Sequence, residues 1–410
     1  MHILLVHQIF VTPEEGGGTR HYELARYLVD KGHRVTVVAS DTDYLTGKKK
    51  GKKKETREGI EIIYASTFRA VHKSFFQRAI SFLCFAASSF FNALKVQNVD
   101  LIWATSPPLF QAVTTLLIAK LMRKPLIFEV RDLWIDFAEE LGIVKNRLVI
   151  RIIKYLERLL YRSSDRIIVN SPGFIPFISR YVDPAKINLI PNGVLTSDFD
   201  VAGLPQSDFR SRYSLENKFV AIYLGNLGVA NDIETIIEAA DHLRDNGDIV
   251  FVLMGGGIRQ QEIKMQVSER RLQNVLVLET RPKSEIPLIL SQVDVCIATL
   301  KDIPLFRTTY PNKVFDYMAA ERPTVLAIDG VIREVIESSE GGIYVAPGDD
   351  NELSEAVLRY YRNPELKRLH GKNAKKYVKR NFERETIADG LENILLDLNK
   401  NIGIEMGKSD

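Results

Sequence analysis

The chain has little cysteine and little net charge. Cys84 and Cys296 are the only cysteines among 410 residues. One lies in a Phe-rich helical stretch and the other in a strand-like run, so we expect neither a disulfide framework nor a thiolate metal site. The formal net charge of +3 gives no reason to expect nucleic acid as a partner. No secretory signal is visible before the apolar run at Ile3, so we expect a cytoplasmic protein.

The length and composition predict two soluble domains. A chain of 410 residues with 45% hydrophobic and 26% charged residues is too long for one ordinary domain of about 150 to 200 residues. A turn at Pro191-Asn192-Gly193 followed by a polar segment predicts a hinge. We therefore expect an N-terminal domain over 1–195, a C-terminal domain over 196–375, and a final helix and tail over 376–410.

Short apolar runs alternate with helical stretches in both halves of the chain. This alternation predicts an α/β fold in which each domain contains a doubly wound parallel sheet. Ligands of such sheets bind beyond the carboxyl ends of the strands, so the residues after each run are candidate functional residues. The predicted strands cover 3–6, 34–38, 100–104, 126–130, 166–170, 187–190, 219–224, 249–254, 275–278, 293–299, 324–328 and 341–345.

The stretch over 310–323 carries the strongest functional signal. A helix is predicted to begin near Asn312 and to end before Pro323. Its unpaired N–H groups and its dipole attract phosphate, and Lys313 adds a full positive charge. The carboxylate of Asp316 can accept hydrogen bonds from sugar hydroxyls. The alternative is that Lys313 and Asp316 form a solvated pair on an ordinary helix.

Glycine turns and basic residues follow other strands of the second half. Gly225-Asn226-Leu227-Gly228 follows one strand, Gly255-Gly256-Gly257 follows the next, and Arg281 follows a third. These strand ends are expected on one edge of one sheet. Together they predict a site for a phosphorylated nucleotide, which favours the functional interpretation of Lys313.

Two features of the first half are candidates for the same chemistry. The glycines of the Gly16-Gly17-Gly18 loop, followed by Arg20, let a phosphate or a substrate hydroxyl approach the backbone, although a flexible loop is the alternative. Arg131 and Asp132 directly follow a buried strand, where charges are costly unless they are paired or in use. A structural ion pair is the alternative there.

Two segments predict a surface that lies on a membrane. Six lysines surround one glycine from Lys48 to Lys54, and a Phe-rich helix follows from Phe75 to Phe91. The alternatives are a solvated loop and a core helix. Asp41-Thr42-Asp43 spells a D-x-D metal motif, but an acidic turn explains it better, so we expect no metal.

The ordered set of motifs resembles a retaining glycosyltransferase of the GT-B fold, in family four, of the bacterial envelope-polysaccharide (O-antigen or capsule) type. That resemblance implies an N-terminal domain for the acceptor, a C-terminal domain for a nucleotide sugar, and a C-terminal helix that crosses back to the first domain. It further implies a uridine diphosphate donor with an N-acetylated hexosamine or deoxyhexosamine, a lipid-linked saccharide acceptor, and no cofactor. The motifs are the early glycine loop, Arg131-Asp132-Leu133-Trp134, Pro191-Asn192-Gly193-Val194, Gly225-Asn226-Leu227-Gly228 and the stretch over 310–320.

The chain departs from the family pattern at four positions. Asn226 and Asn231 stand where family members usually carry an Arg and a Lys, and Thr308 stands where they carry the first of two acidic residues. Arg131 stands where the family motif has a His. The residues left to meet the diphosphate charge are Lys313, Arg307, Arg281 and Arg20. We assign catalysis to Lys313, Arg131 and Asp132, and donor binding also to Asn312. The rival hypotheses are a non-hydrolysing nucleotide-sugar epimerase and a non-catalytic nucleotide-sugar-binding protein.

We expect a metal chelator to leave sugar transfer unchanged, because helix amides and cationic side chains would stabilise the leaving diphosphate without a metal. The measurement is release of nucleoside diphosphate with and without EDTA. If EDTA abolished sugar transfer and a divalent cation restored it, the expectation would be contradicted. Asp41 and Asp43 would then again be candidate metal ligands.

Overall fold

The computed structural model describes residues 1–15, 17–43, 47–68, 75–201 and 208–406. These residues form two compact units. Unit 1 contains Met1–Thr12, Thr19–Pro191 and the chain from Glu385 onward, and unit 2 contains Pro13–Gly18 and Asn192–Arg384.

Unit 1 is built on an eight-stranded sheet in the order β3-β4-β2-β1-β5-β6-β7-β8. Every neighbouring pair is parallel except β3 and β4. The central strands are apolar and fully buried, as expected for a sheet covered on both faces. The strands are β1 (His2–Val6), β2 (Arg34–Ser40), β3 (Lys54–Arg57), β4 (Ile60–Ala65), β5 (Leu101–Ser106), β6 (Leu126–Val130), β7 (Arg166–Val169) and β8 (Ile187–Leu189).

Helices cover both faces of this sheet. The chain crosses from β1 to β2 in one direction along the sheet and later from β4 to β5 in the other, so right-handed crossovers place the intervening helices on opposite faces. One face packs against α1 and α15 in a single apolar core. The helices α2, α3 and α5 pack side by side in a row. The helices are α1 (Arg20–Asp30), α2 (Phe75–Ala93), α3 (Leu109–Met122), α4 (Trp134–Glu140), α5 (Arg147–Ser163), α6 (Ile175–Ile178) and α15 (Arg384–Met406).

The lysine-rich segment, for which a solvated loop was the alternative to a membrane surface, leads into an edge strand. Thr42 forms a bridge with Lys49, and Lys54 is the first residue of β3, which pairs with β4 as an antiparallel hairpin. Charged residues suit this position because β3 is an edge strand, where lysines discourage pairing with other chains. The run of lysines therefore continues into a β-strand, of which Lys54 is the first residue.

Unit 2 contains a fully parallel six-stranded sheet in the order β11-β10-β9-β12-β13-β14. Two apolar cores flank it. The prediction of two doubly wound parallel sheets is thus confirmed. The strands are β9 (Phe219–Leu224), β10 (Ile249–Met254), β11 (Val275–Leu278), β12 (Val295–Thr299), β13 (Thr324–Ala327) and β14 (Gly342–Tyr344). The helices are α7 (Phe209–Arg212), α8 (Ile233–His242), α9 (Gln260–Glu269), α10 (Ile286–Leu290), α11 (Asn312–Ala319), α12 (Val331–Ser339), α13 (Asp350–Arg362) and α14 (Pro364–Asn381).

The described helices were also compared with the length and hydropathy that a membrane span requires. Within the residues that the structure describes, no helix is long and apolar enough to cross a bilayer.

We expect Gly255→Ala to destabilise unit 2, because a Cβ on Gly255 would lie 1.7 Å from the carbonyl oxygen of Gly225. The loss in the free energy of unfolding should exceed about 2 kcal/mol. Gly247→Ala is the matched control, since a Cβ there meets no heavy atom within 4 Å, and it should change that free energy by less than about 0.5 kcal/mol. Urea denaturation followed by circular dichroism measures both, and equal losses would contradict this explanation.

Candidate active site

The start of α11 lies beside the turn that follows β9. The helix begins at Asn312 after Pro311, whose φ of −66° suits the entry to a helix. One turn further on, the hydroxyl of Tyr317 accepts a hydrogen bond from the backbone N–H of Leu224 at 2.8 Å. This bond ties the helix to the carboxyl end of β9, where ligands of parallel sheets bind.

Lys313 is buried at this junction without a hydrogen-bond partner for its ammonium among the described residues. A Cβ on Gly225 would lie 3.0 Å from its Nζ atom, so the lysine side chain packs closely against this glycine. The Nζ atom is 3.7 Å from the centroid of the Tyr223 ring, a cation–π contact. Burial lowers the pKa of Lys313 to about 7. The site therefore holds a cation that an anionic ligand would satisfy.

The two glycine turns, which the sequence assigned to donor binding, pack against each other in unit 2. The backbone N–H of Gly225 donates to Met254 at 3.0 Å, and that of Gly255 donates to Leu278 at 3.0 Å. These amides are therefore already paired within unit 2. Glycine is required because the two turns pack backbone to backbone. The side chain of Asn226 lies in the same place, against Gly228.

Asp316 forms an ion pair that the sequence did not predict. Its carboxylate accepts a hydrogen bond from Lys283 Nζ at 2.6 Å. The alternative, a solvated pair between Lys313 and Asp316, does not form, because the Lys313 ammonium lies on the Tyr223 ring. Asp316 is thus fixed in position by a cation from the segment after β11.

Arg281 and Arg307 are engaged by other side chains. Arg281 donates to the Tyr213 hydroxyl at 3.2 Å and lies 3.6 Å from Glu285. Arg307 is exposed and lies 3.1 Å from Asp302, with a further acidic neighbour at Asp329. Both could reach a ligand only by weakening these contacts.

The glycine-rich loop belongs to unit 2 together with α11. Residues Pro13–Gly18 group with this unit, and a Cβ on Gly18 would lie 3.5 Å from the side-chain amide of Asn312. Gly17 has a φ of +132°, a conformation that favours glycine, and Gly16 lies outside the described residues. The structure therefore brings Gly17, Gly18 and Asn312 into one neighbourhood, although the sequence placed the loop in the first domain.

In unit 1 a buried carboxylate organises the residues around β6. Glu129 accepts hydrogen bonds from Arg20 at 2.9 Å, His21 at 2.8 Å and Trp103 at 3.0 Å. Burial alone would raise the pKa of Glu129, but His21 and Arg20 lower it below its usual range. Arg20 also donates to the carbonyl of Ile190 at 2.7 Å. It is therefore a structural residue here, which differs from the expected role at a phosphate.

Arg131 and Asp132 do not form the structural ion pair considered as an alternative. Within the described residues, Arg131 instead donates to His7 Nε2 at 3.3 Å, and His7 is bonded to Thr105 at 2.7 Å. Asp132 has no side-chain hydrogen bond in the part of the chain described. Burial raises its pKa to about 6, against the opposing charge of Arg131. A carboxyl with such a pKa can exchange a proton near neutral pH.

Asp41, the first acid of the D-x-D motif, is engaged by neighbouring groups. Asp41 accepts from Lys49 at 2.8 Å and from the backbone of Thr67 at 3.1 Å, and no group of three or more metal-ligating side chains occurs in the described ranges. Sequence reasoning missed the roles of Glu129 and His7, as well as Lys283 and Tyr223. The signal for the first was a lone acid in the apolar run Leu-Ile-Phe-Glu-Val.

Two family models match the chain. One, described as "Glycosyltransferase Family 4", covers residues 15–198, and the other, "Glycosyl transferases group 1", covers residues 218–363. The chain carries two glycosyltransferase domains. Both matches agree in order with the resemblance expected from the motifs.

This glycosyltransferase also resembles whole proteins. It is 24% identical over 400 residues to the putative colanic acid biosynthesis glycosyl transferase WcaI of Escherichia coli (strain K12), covering 94% of this chain and 97% of that protein. It is 24% identical over 263 residues to the UDP-Gal:alpha-D-GlcNAc-diphosphoundecaprenol alpha-1,3-galactosyltransferase of Escherichia coli. That match covers 62% of this chain and 66% of the relative. Its fold matches that of sucrose-phosphate synthase from Thermosynechococcus elongatus with a TM-score of 0.78 at 19% identity. The match covers 97% of this chain and 98% of that chain. The predicted GT-B fold is confirmed.

We expect Lys313→Met to change how stability depends on pH. The unfolded lysine has a pKa of about 10.4, whereas in the folded protein it is about 7. Between these values the unfolded state binds more protons, so this lysine makes wild-type stability rise with pH by at most about 1.4 kcal/mol per unit. The variant should therefore exceed the wild type in stability at pH 7 and lose that advantage by pH 10.

Urea titrations at pH 7, 8, 9 and 10 measure this difference. Lys264→Met is the matched control, because Lys264 is exposed and paired with Glu279. A difference between Lys313→Met and wild type that stays constant with pH would contradict the assignment.

Proposed function

We propose that this glycosyltransferase moves a sugar from a nucleoside diphosphate sugar to a lipid-linked saccharide acceptor, with retention of the anomeric configuration, in the synthesis of a cell-envelope polysaccharide. The printed names of the two Escherichia coli relatives support the pathway and the acceptor class. The observation that carries the proposal is the buried, unpartnered ammonium of Lys313 at the start of α11. It supplies a positive charge where a departing diphosphate needs one.

Lys313 would act mainly on the leaving group. Breaking the bond between sugar and diphosphate leaves negative charge on the β-phosphate, so stabilising that charge is the chief catalytic task. One charge-assisted hydrogen bond contributes roughly 1.5 to 3 kcal/mol. Because 1.4 kcal/mol corresponds to about tenfold in rate, Lys313 together with amides of α11 could contribute several powers of ten.

Neighbouring groups would position the rest of the donor. Asp316, held by Lys283 at 2.6 Å, would accept hydrogen bonds from the ribose hydroxyls of the nucleotide. Gly17, Gly18 and Asn312 would contribute backbone and amide groups beside the phosphates. Arg281 and Arg307 would contribute only after exchanging their present acidic or phenolic partners for the diphosphate.

In unit 1 we assign Arg131 and Asp132 to the sugar and its acceptor. The acceptor hydroxyl would attack from the face on which the diphosphate departs, and its proton would pass to a diphosphate oxygen. Asp132, with a pKa of about 6, would orient that hydroxyl by accepting its hydrogen bond. Arg131, supported by His7, would face the developing negative charge.

The finer features stay proposals. We propose a uridine nucleotide, an N-acetylated hexosamine or deoxyhexosamine, catalysis without metal or cofactor, and a cytoplasmic location at the inner face of the membrane. The membrane contacts predicted at Lys48 to Lys54 and Phe75 to Phe91 also stay predictions. The epimerase alternative is not favoured, because both family models describe glycosyltransferases.

We expect Lys313→Ala to reduce turnover by about a hundredfold or more, since it removes a charge-assisted contact to the leaving group. The melting temperature should not fall, because the lost ammonium has no hydrogen-bond partner in the described structure. Release of nucleoside diphosphate, with a panel of nucleotide sugars and a membrane lipid extract as acceptor, measures turnover. Lys264→Ala is the control and should keep wild-type turnover. Near-normal transfer by Lys313→Ala would contradict the proposal.

Proton uptake on binding separates this role from a structural one. At pH 8 most Lys313 side chains are neutral in the free protein, given a pKa of about 7, and a bound diphosphate would raise that pKa. Titration calorimetry with UDP in buffers of different ionisation enthalpy should show uptake approaching one proton. The uptake should disappear in Lys313→Met.

A further inference from the structure

The outward side of α5 is apolar where a surface helix is ordinarily polar. The helix spans Arg147–Ser163 and packs inward through residues that include Ile150 and Ile153. Leu148, Ile152 and Tyr155 are 62%, 51% and 66% exposed. Their spacing of four and three residues places them on one side of the helix. The result is an apolar stripe that no described residue of unit 1 covers.

A basic stripe runs beside the apolar one. Its members recur at spacings of four and seven residues, which again defines one side of the helix. Within the described residues, Arg147 and Arg151 make no ion pair. The one acid of α5, Glu157, bonds with Tyr161, which is buried. The stripe consists of Arg147, Arg151, Arg158 and Arg162, and Lys154, which lies between them in the sequence, pairs with Asp136 and Glu139 of α4.

The neighbouring helix α3 extends the same surface. It packs against α5, and Leu117 and Leu121 near its carboxyl end are both more than half exposed. Lys120, which lies between them in the sequence, is exposed as well. In the part of the chain described, eight of the sixteen exposed large apolar side chains lie on α2, α3 and α5. Such a concentration marks an interaction surface.

Building on the proposed location at the inner face of the membrane, we propose that the outward side of α5, continued by the carboxyl end of α3, lies on the surface of an anionic lipid bilayer. The apolar stripe would enter the headgroup region and the basic stripe would meet lipid phosphates. The positive charge of this surface favours an anionic bilayer over a second copy of the chain, because in a dimer the basic stripes of two copies would face and repel each other. The surface is separate from the lysine-rich segment, where Lys49, Lys52 and Lys54 pair with acids of unit 1.

Co-sedimentation of the full chain with vesicles tests this surface. We expect binding to phosphatidylcholine vesicles that contain phosphatidylglycerol, weak binding to phosphatidylcholine alone, and weaker binding at high salt. Leu148→Ser/Ile152→Ser should weaken binding by about tenfold or more. Arg147→Gln/Arg151→Gln should weaken it comparably and reduce its salt dependence.

The matched control is Ile258→Ser/Met265→Ser in unit 2, where the two side chains are 80% and 57% exposed. This variant should bind vesicles like the wild type. All variants should keep the wild-type melting temperature and the wild-type rate with a water-soluble acceptor, because the altered side chains are exposed. Unchanged soluble transfer therefore distinguishes failure of this inference from failure of the proposed function.

Three results would overturn the inference. Wild-type protein could fail to prefer anionic vesicles, or the control pair could lose as much binding as the α5 pair. Light scattering could instead show a wild-type dimer that the α5 variant converts to a monomer, which would assign the surface to a second copy of the chain.

Discussion

The free-energy cost of a buried charge is the constraint on which both units depend. An ammonium removed from water is costly unless another group compensates its charge. Lys313 in unit 2 receives only partial compensation, from the face of the Tyr223 ring. The surrounding structure maintains this arrangement because Tyr317 fixes α11 to β9 and because Phe315 packs against Phe382. A stable scaffold thus keeps one cation ready for an anionic ligand.

Unit 1 resolves the same constraint in the opposite way. Glu129 is fully buried, yet three donors from distant parts of the chain satisfy its two oxygen atoms. That complete pairing keeps the carboxylate ionised and fixes the orientation of His21, whose pKa burial lowers to about 4. Glu129 thus organises the residues around β6, and the partly buried Arg131 and Asp132 that follow this strand are the residues that we propose for the sugar and the acceptor.

Individual residues show how far sequence reasoning extended. Apolar runs located β9, β10 and β11 residue for residue, because strands buried on both faces are continuous in sequence. The same reasoning missed β3, since the sequence Lys-Glu-Thr-Arg has no apolar pattern, and it also missed the largely apolar β4. It assigned Gly225 and Gly255 to donor binding, which stays a prediction, but it did not reveal that Gly255 packs against the backbone of Gly225.

The sequence by itself determined the alternation of strands and helices, the two doubly wound sheets and the glycosyltransferase motifs, because these depend on residues that are near neighbours along the chain. Only the tertiary structure decided which charges meet. Lys283 forms an ion pair with Asp316, and Arg20, which the sequence assigned to a phosphate, forms one with Glu129. It also decided that one side of α5 stays uncovered. Pairing and burial depend on segments far apart in sequence, so local patterns do not contain them.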